Sequence, residues 1–269
     1  MTPIATTQHA TTSPINEMFA SLKARDELGL IAYLTAGYPT IDASIDSMHE
    51  AAAAGVDLLE IGVPFSDPFA DGPTIQHASV QALRNGFTLT EFLDRLAHRP
   101  LPIPTLLFSY LNPLLAFGRD RLLDRCRKLS ISGVLIPDLP IDEAADWLDA
   151  ARQRNRCLVF LVAPTSTDER IAQIAADSDA FIYAVSSLGT TGARQELAAG
   201  LPDYLARIRR ATDCPIAVGF GISTPAQVAA LRSSADAVVI GSRFITAIRN
   251  NENLTTLIQG LKQAARGDN

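Results

Sequence analysis

Eight times along this chain a short β-branched or apolar run is followed by a longer segment of helical period, the order expected of βαβ units sharing a parallel sheet. The runs lie at 30–35, 56–61, 104–108, 133–136, 158–162, 180–184, 216–218 and 237–240. Helical periods fill the intervals at 41–54, 74–85 with 89–97, 119–130, 142–155, 168–177, 201–212 and 225–233, and a last one covers 254–265. No Gly, Ser or Pro-rich linker breaks the series. The 269 residues are therefore read as a single (β/α)8 TIM barrel over 14–269, with an additional N-terminal helix starting near Pro14 and a flexible leader at 1–13. A doubly wound open sheet is the alternative. It would carry a glycine fingerprint after its first strand, where this chain reads LTAGYPT; the similar string GFGIST at 219–224 ends in Thr224 instead of glycine.

Composition narrows the function. Apolar residues make up 47% of the chain, enough for a large core, and the net charge of −6 argues against a nucleic-acid surface. The basic cluster at 207–210 reads as a solvated helix face. Cys126, Cys157 and Cys214 are odd in number and far apart, and the four histidines fall in no metal-ligand pattern, so a reduced, cytoplasmic protein without a structural metal is expected. The segment before Lys23 has neither the charge nor the apolar run of a signal peptide. Residues 100–118 carry no charge, but prolines at 100, 102, 104 and 113 argue against a membrane-spanning helix.

In such a barrel the active site lies at the C-terminal ends of the strands. Glu60 interrupts the second run near its end, where alternation turns it inward with Leu58. A carboxylate in that low-dielectric mouth becomes a usable acid or base; a structural pairing with an arginine is the other reading. The loop that follows holds Asp67 and Asp71 among prolines and glycines, where aspartates are commonly turn formers. Asp71 gains weight from its neighbourhood with Glu60, because two carboxylates in one mouth can hold different protonation states. Glycines at 219, 221 and 241, with Ser242, follow the last two strands, the recurrent phosphate site of these barrels, although turns there use glycine anyway. The loop SSLGTTGAR at 186–194 has the composition of a lid or of a plain turn. Tyr183, in step with Phe181, either reaches the mouth or packs. The only lysines, Lys23, Lys128 and Lys262, lie on expected helices, which weighs against Schiff-base and pyridoxal-phosphate chemistry. What remains is carboxylate acid–base chemistry on a phosphorylated substrate.

The string LEIGVPFSDPFADGP at 59–73 resembles the signature of the tryptophan synthase alpha family. So do YLTAGYP at 33–39, YLNP at 110–113, VLIPDLP at 134–140, TTGAR at 190–194, GFGIS at 219–223 and GS at 241–242. The resemblance implies retro-aldol cleavage of indole-3-glycerol phosphate, with indole passed to a pyridoxal-phosphate-bearing beta subunit in an alpha2-beta2 assembly and no cofactor in this chain. It makes Glu60 the acid/base at indole C3 and the side-chain hydroxyl, and Asp71 the partner of the indole N–H. Tyr183, Tyr110 and Leu34 would line the substrate pocket, Leu34 standing where an aromatic often touches the indole. Thr191 would orient Asp71, and Gly192, Gly221, Gly241 and Ser242 would hold the phosphate. Asp67, Pro68, Leu114 and Phe117 would meet the beta subunit. Phe69, Ser187 and Leu188 depart from the usual family residues. A stand-alone lyase, and a catalytically weak subunit that activates its partner, are the other functions compatible with these motifs.

Overall fold

A computed structural model describes residues 13–186, 200–219 and 221–267. Eight parallel strands pair in chain order, and β1 closes on β8. They are β1 (Gly29–Thr35), β2 (Leu58–Gly62), β3 (Thr105–Phe108), β4 (Gly133–Leu135), β5 (Cys157–Val162), β6 (Ile182–Val185), β7 (Ile216–Gly219) and β8 (Ala237–Ile240). The described helices are α1 (Pro14–Ala24), α2 (Ile41–Ala54), α3 (Pro73–Arg84), α4 (Leu89–His98), α5 (Leu111–Phe117), α6 (Arg119–Lys128), α7 (Ala145–Arg152), α8 (Asp168–Asp177), α9 (Leu201–Ala211), α10 (Pro225–Leu231), α11 (Ser242–Arg249) and α12 (Leu254–Arg266). The closed barrel with its N-terminal helix agrees with the sequence reading. Of the expected leader only Ser13 is described, and it is the N-cap of α1.

Helix starts follow side-chain capping. The hydroxyls of Thr40, Thr88 and Thr167 each accept the backbone N–H three residues on, replacing a carbonyl that the first turn lacks. The segment expected as one helix at 142–155 is instead a 3-10 turn (Ile141–Glu143) followed by α7. The uncharged run beyond β3 forms α5, whose seven residues are too few to show a period in sequence.

Strand alternation divides the apolar side chains into two layers. Ile31, Tyr33, Leu58, Leu106, Phe108, Phe181 and Tyr183 fill the barrel interior, and Ile15 and Phe19 of α1 plug its N-terminal end, the Phe19 ring centroid 5.6 Å from that of Phe181. Leu30, Ala32, Leu34, Leu59 and Ile61 point the other way, into the layer beneath the helices.

The same N-terminal end carries a recurring polar joint. Asp57, just before β2, accepts the N–H of Leu30 on β1 at 2.7 Å and the ammonium of Lys262 on α12 at 2.5 Å. Asp236, just before β8, accepts the N–H of Ile216 on β7 at 2.7 Å and pairs with Arg209 of α9. Asp179, before β6, lies against the Leu158 N–H of β5 and binds Arg152 of α7 at 2.9 Å. The Asp57 and Asp236 joints each satisfy a main-chain donor that the neighbouring strand leaves unpaired where the barrel wall begins. Among the described residues no helix is long and apolar enough to cross a membrane, and no group of metal-ligating side chains occurs.

Candidate active site

Glu60 occupies the middle of β2, in register with Tyr33 of β1 and Leu106 of β3. Its side chain is fully buried in the interior layer, and among the described residues neither carboxylate oxygen has a hydrogen-bond partner. Burial without a donor penalises the charged form, which pushes its pKa up to about 8. Among the described residues no arginine pairs with Glu60, so the structural reading finds no support there.

Asp71 ends the loop that carries the chain from β2 to α3. Its N–H donates to the Pro68 carbonyl at 3.0 Å, and the Gln76 side chain donates to its own carbonyl at 2.9 Å, so the loop folds back on itself. The Tyr110 hydroxyl, at the start of α5, donates to Asp71 Oδ2 at 3.3 Å and accepts the Ala70 N–H at 2.9 Å. Burial raises the Asp71 pKa to about 6, the Tyr110 hydrogen bond opposing it. Asp67, by contrast, is exposed; its carboxylate accepts the Ser66 hydroxyl and its carbonyl the Phe69 N–H at 2.9 Å. The two loop aspartates that composition could not separate are thus separated by a tyrosine 39 residues further on.

Tyr183 lies in the interior layer beside these groups, and the charges of Glu60 and Asp71, added to burial, hold its hydroxyl neutral. A Cβ at Gly219 would overlap that hydroxyl, so the glycine at the end of β7 makes the space for it. Tyr33 is placed in the same manner on the opposite wall, with Gly62 vacating the space at its hydroxyl. Leu34, expected in the substrate pocket, is corrected: it packs outward beneath the helices, and its neighbour Tyr33 is the β1 side chain that faces the interior. Counting by twos from Ile31 identifies Tyr33 in the sequence.

At the far side of the mouth Gly221 has φ +84, a left-handed conformation that suits glycine alone. Gln227 already takes the N–H groups of Ser223 and Thr224 through its side-chain oxygen. The start of α11 differs. Gly241 is its N-cap with no side-chain capping bond, Ser242 is its half-buried first residue, and the first intrahelical acceptor serves Ile245. The preceding N–H groups point out of the helix end with its positive dipole, a cradle for an anion. Thr191 and Gly192, and with them Ser187 and Leu188, lie outside the described residues.

The expected partner surface is partly redrawn. Leu114 is completely buried beneath α5 and Pro68 is buried under its loop, so neither forms an exposed face. Phe117 is half-buried, with the Arg121 guanidinium 4.4 Å from its ring centroid. The exposed apolar side chains here are Phe69, 67% accessible, and Leu115, 53% accessible. Phe69 leans on Tyr110, ring centroids 5.1 Å apart, so this surface touches the residue that holds Asp71.

A buried acid of high pKa, a second carboxylate of lower pKa and an anion cradle therefore share one barrel mouth. A family model described as "Tryptophan synthase alpha chain" matches residues 19–267. The tryptophan synthase alpha chain of Dehalococcoides mccartyi is 42% identical over 257 residues, covering 94% of this chain and 99% of that one. That of Methanosarcina acetivorans is 40% identical over 273 residues, covering 100% and 99%. A solved structure of Mycobacterium tuberculosis tryptophan synthase superposes with a TM-score of 0.87 at 35% identity, covering 94% of this chain and 98% of that one.

Proposed function

The chain belongs to the tryptophan synthase alpha chain family, whose lyase reaction is the cleavage of indole-3-glycerol phosphate, and from that premise we propose that Glu60 and Asp71 carry this reaction here. The observation that carries the reading is two buried carboxylates in one mouth with different surroundings, Glu60 without a donor among the described residues and Asp71 held by the Tyr110 hydroxyl, which sets their pKa values apart, about 8 and about 6. Near neutral pH one is a proton donor and the other a charged acceptor.

Glu60 gives its proton to indole C3, which leaves positive charge on the ring nitrogen. Asp71 accepts the indole N–H as a hydrogen bond and stabilises that charge. The Glu60 carboxylate then takes the proton from the hydroxyl on the carbon attached to C3. That oxygen becomes the aldehyde of glyceraldehyde 3-phosphate, the bond to C3 breaks, and its electron pair restores the indole ring. Glu60 ends protonated, as it began. Tyr183 and Tyr33 wall the ring, Tyr110 and Thr191 orient Asp71, and Gly192, Gly221, Gly241 and Ser242 bind the phosphate.

Family membership implies a beta-subunit partner. We assign the meeting face to Asp67, Phe69, Leu115 and Phe117, in an alpha2-beta2 assembly that delivers indole to pyridoxal phosphate held by the beta subunit. This chain is read as needing no cofactor of its own. Its lysines stand on α1, α6 and α12, and Lys262 is engaged by Asp57, so no imine-forming amine faces the mouth. The unpaired Cys126, Cys157 and Cys214 support a cytoplasmic location.

The test is indole release from indole-3-glycerol phosphate by Glu60→Gln and Asp71→Asn. Each is expected to lose at least about a hundredfold in kcat/KM. The wild-type profile should fall below about pH 6, as Asp71 takes up a proton, and above about pH 8, as Glu60 loses one. Wild-type rates in the Glu60→Gln protein would reject the assignment.

A further inference from the structure

Two neighbouring strands form a four-residue cell at the mouth. Tyr33 pairs with Glu60 and Thr35 with Gly62 across β1 and β2, and all four are buried. The Tyr33 hydroxyl fills the place that a side chain at Gly62 would take. Its ring is fixed from two further sides, by Gly241, whose would-be Cβ stands 3.2 Å from the ring, and by Phe108, edge-on with centroids 5.4 Å apart. On the same two strands, the Thr35 hydroxyl lies within hydrogen-bonding reach of the Tyr33 hydroxyl, and both buried carboxylate oxygens of Glu60 are without a hydrogen-bond partner among the described residues.

We propose that Tyr33 is a positioning residue for Glu60: its hydroxyl donates to the Glu60 carboxylate once that group has given up its proton, while the Thr35 hydroxyl donates to the phenol oxygen. A neutral carboxyl can remain in this cell without a partner, as it does here. A carboxylate cannot, because a buried charge without a donor bears its whole desolvation cost. Rotation of the Glu60 side chain toward the mouth brings it to the layer of Gly62, where the phenol stands. The phenol keeps its own proton throughout, since burial and the Asp71 charge raise its pKa well above the usual range. The other titratable groups facing this cell, Asp71 and Tyr110 from the loops and Tyr183 from β6, set the background charge. The consequence is directional: the carboxylate produced by protonating C3 is held on the β1 side of the mouth instead of recoiling into the barrel.

The inference rests on Glu60 being the acid/base. Its test combines the pH dependence of kcat and kcat/KM for indole release with a 13C NMR titration of the Glu60 side-chain carboxyl in the substrate-free protein, for wild type, Tyr33→Phe and Thr35→Val. A donor to the charged form lowers a carboxyl pKa, so the Tyr33→Phe change should move both the alkaline limb and the NMR titration up by about one pH unit. The fall in kcat should exceed the change in KM. The Thr35→Val change should shift both the same way by less. Superposable titrations in a folded Tyr33→Phe protein overturn the proposal; if that variant does not fold, an unshifted titration in the Thr35→Val protein does. Failure of the wild type to release indole would reject the lyase reading alone, since the NMR titration is independent of turnover.

Discussion

Replacing Glu60 with glutamine should stabilise the folded protein progressively as the pH rises. Unfolded chains lose the Glu60 proton near the ordinary value of 4.5, whereas the folded protein holds it to about 8. Below the lower value both states are protonated and the group costs nothing. Between the two the folded state binds one proton more than the unfolded state, so stability falls by about 1.4 kcal/mol per pH unit. Above the upper value the loss levels off. Integrated from pH 5 to pH 8 with the two pKa values, the loss from this one carboxyl is on the order of 3 kcal/mol. Glutamine does not titrate, so the stability difference between variant and wild type should widen by that order over the interval. Every other titrating group is common to both proteins and drops out of the comparison. Urea denaturation of the two proteins at pH 5, 6, 7 and 8 measures it. A difference that stays constant with pH would refute the argument that Glu60 is buried, unpaired and neutral.

Two further pairs of substitutions probe packing and the partner face. Leu115→Asp should change thermal stability by less than about 0.5 kcal/mol yet weaken activation by the beta subunit, while Leu114→Asp, one residue away, buries an unpaired charge and should cost several kcal/mol; thermal unfolding with and without the beta subunit separates them, and equal stability of the pair contradicts the burial pattern. Gly219→Ala should displace the Tyr183 hydroxyl, costing about 1–3 kcal/mol and reducing indole release, whereas Gly86→Ala, which meets no neighbour but has positive φ, should lower stability without touching catalysis. Urea unfolding alongside the indole assay distinguishes the two glycines.

The barrel was legible because its signals are local. Each strand is a short β-branched run, and threonines stand where helices begin, so the expected limits of α2 and α8 coincide with those observed. Inward and outward could also be read on β2, where a charged residue breaks an apolar run. On β1 the resemblance points to Leu34, and only counting by twos from Ile31 shows that Tyr33 is the residue that faces the interior. The run at Leu114 and Leu115 failed for a related reason: when every residue is apolar, composition carries no facing, and only the packing of α5 supplies it. The Asp71–Tyr110 bond and the glycine spaces at 62 and 219 arise between strands or loops far apart in the chain, so no window of sequence contains them.

The joint between Asp57 and Lys262 spans 205 residues, and it bears on synthesis as well as on stability. Asp57 fastens the start of β1 to β2, yet its cation arrives on α12, after all eight strands have left the ribosome. A nascent chain can pair its first two strands early, but the carboxylate at their junction waits without its counter-charge until translation has passed the last helix. The first quarter of the barrel is thus the last to become electrostatically complete, and a chain halted before α12 would close its first seam around a carboxylate that lacks its cation.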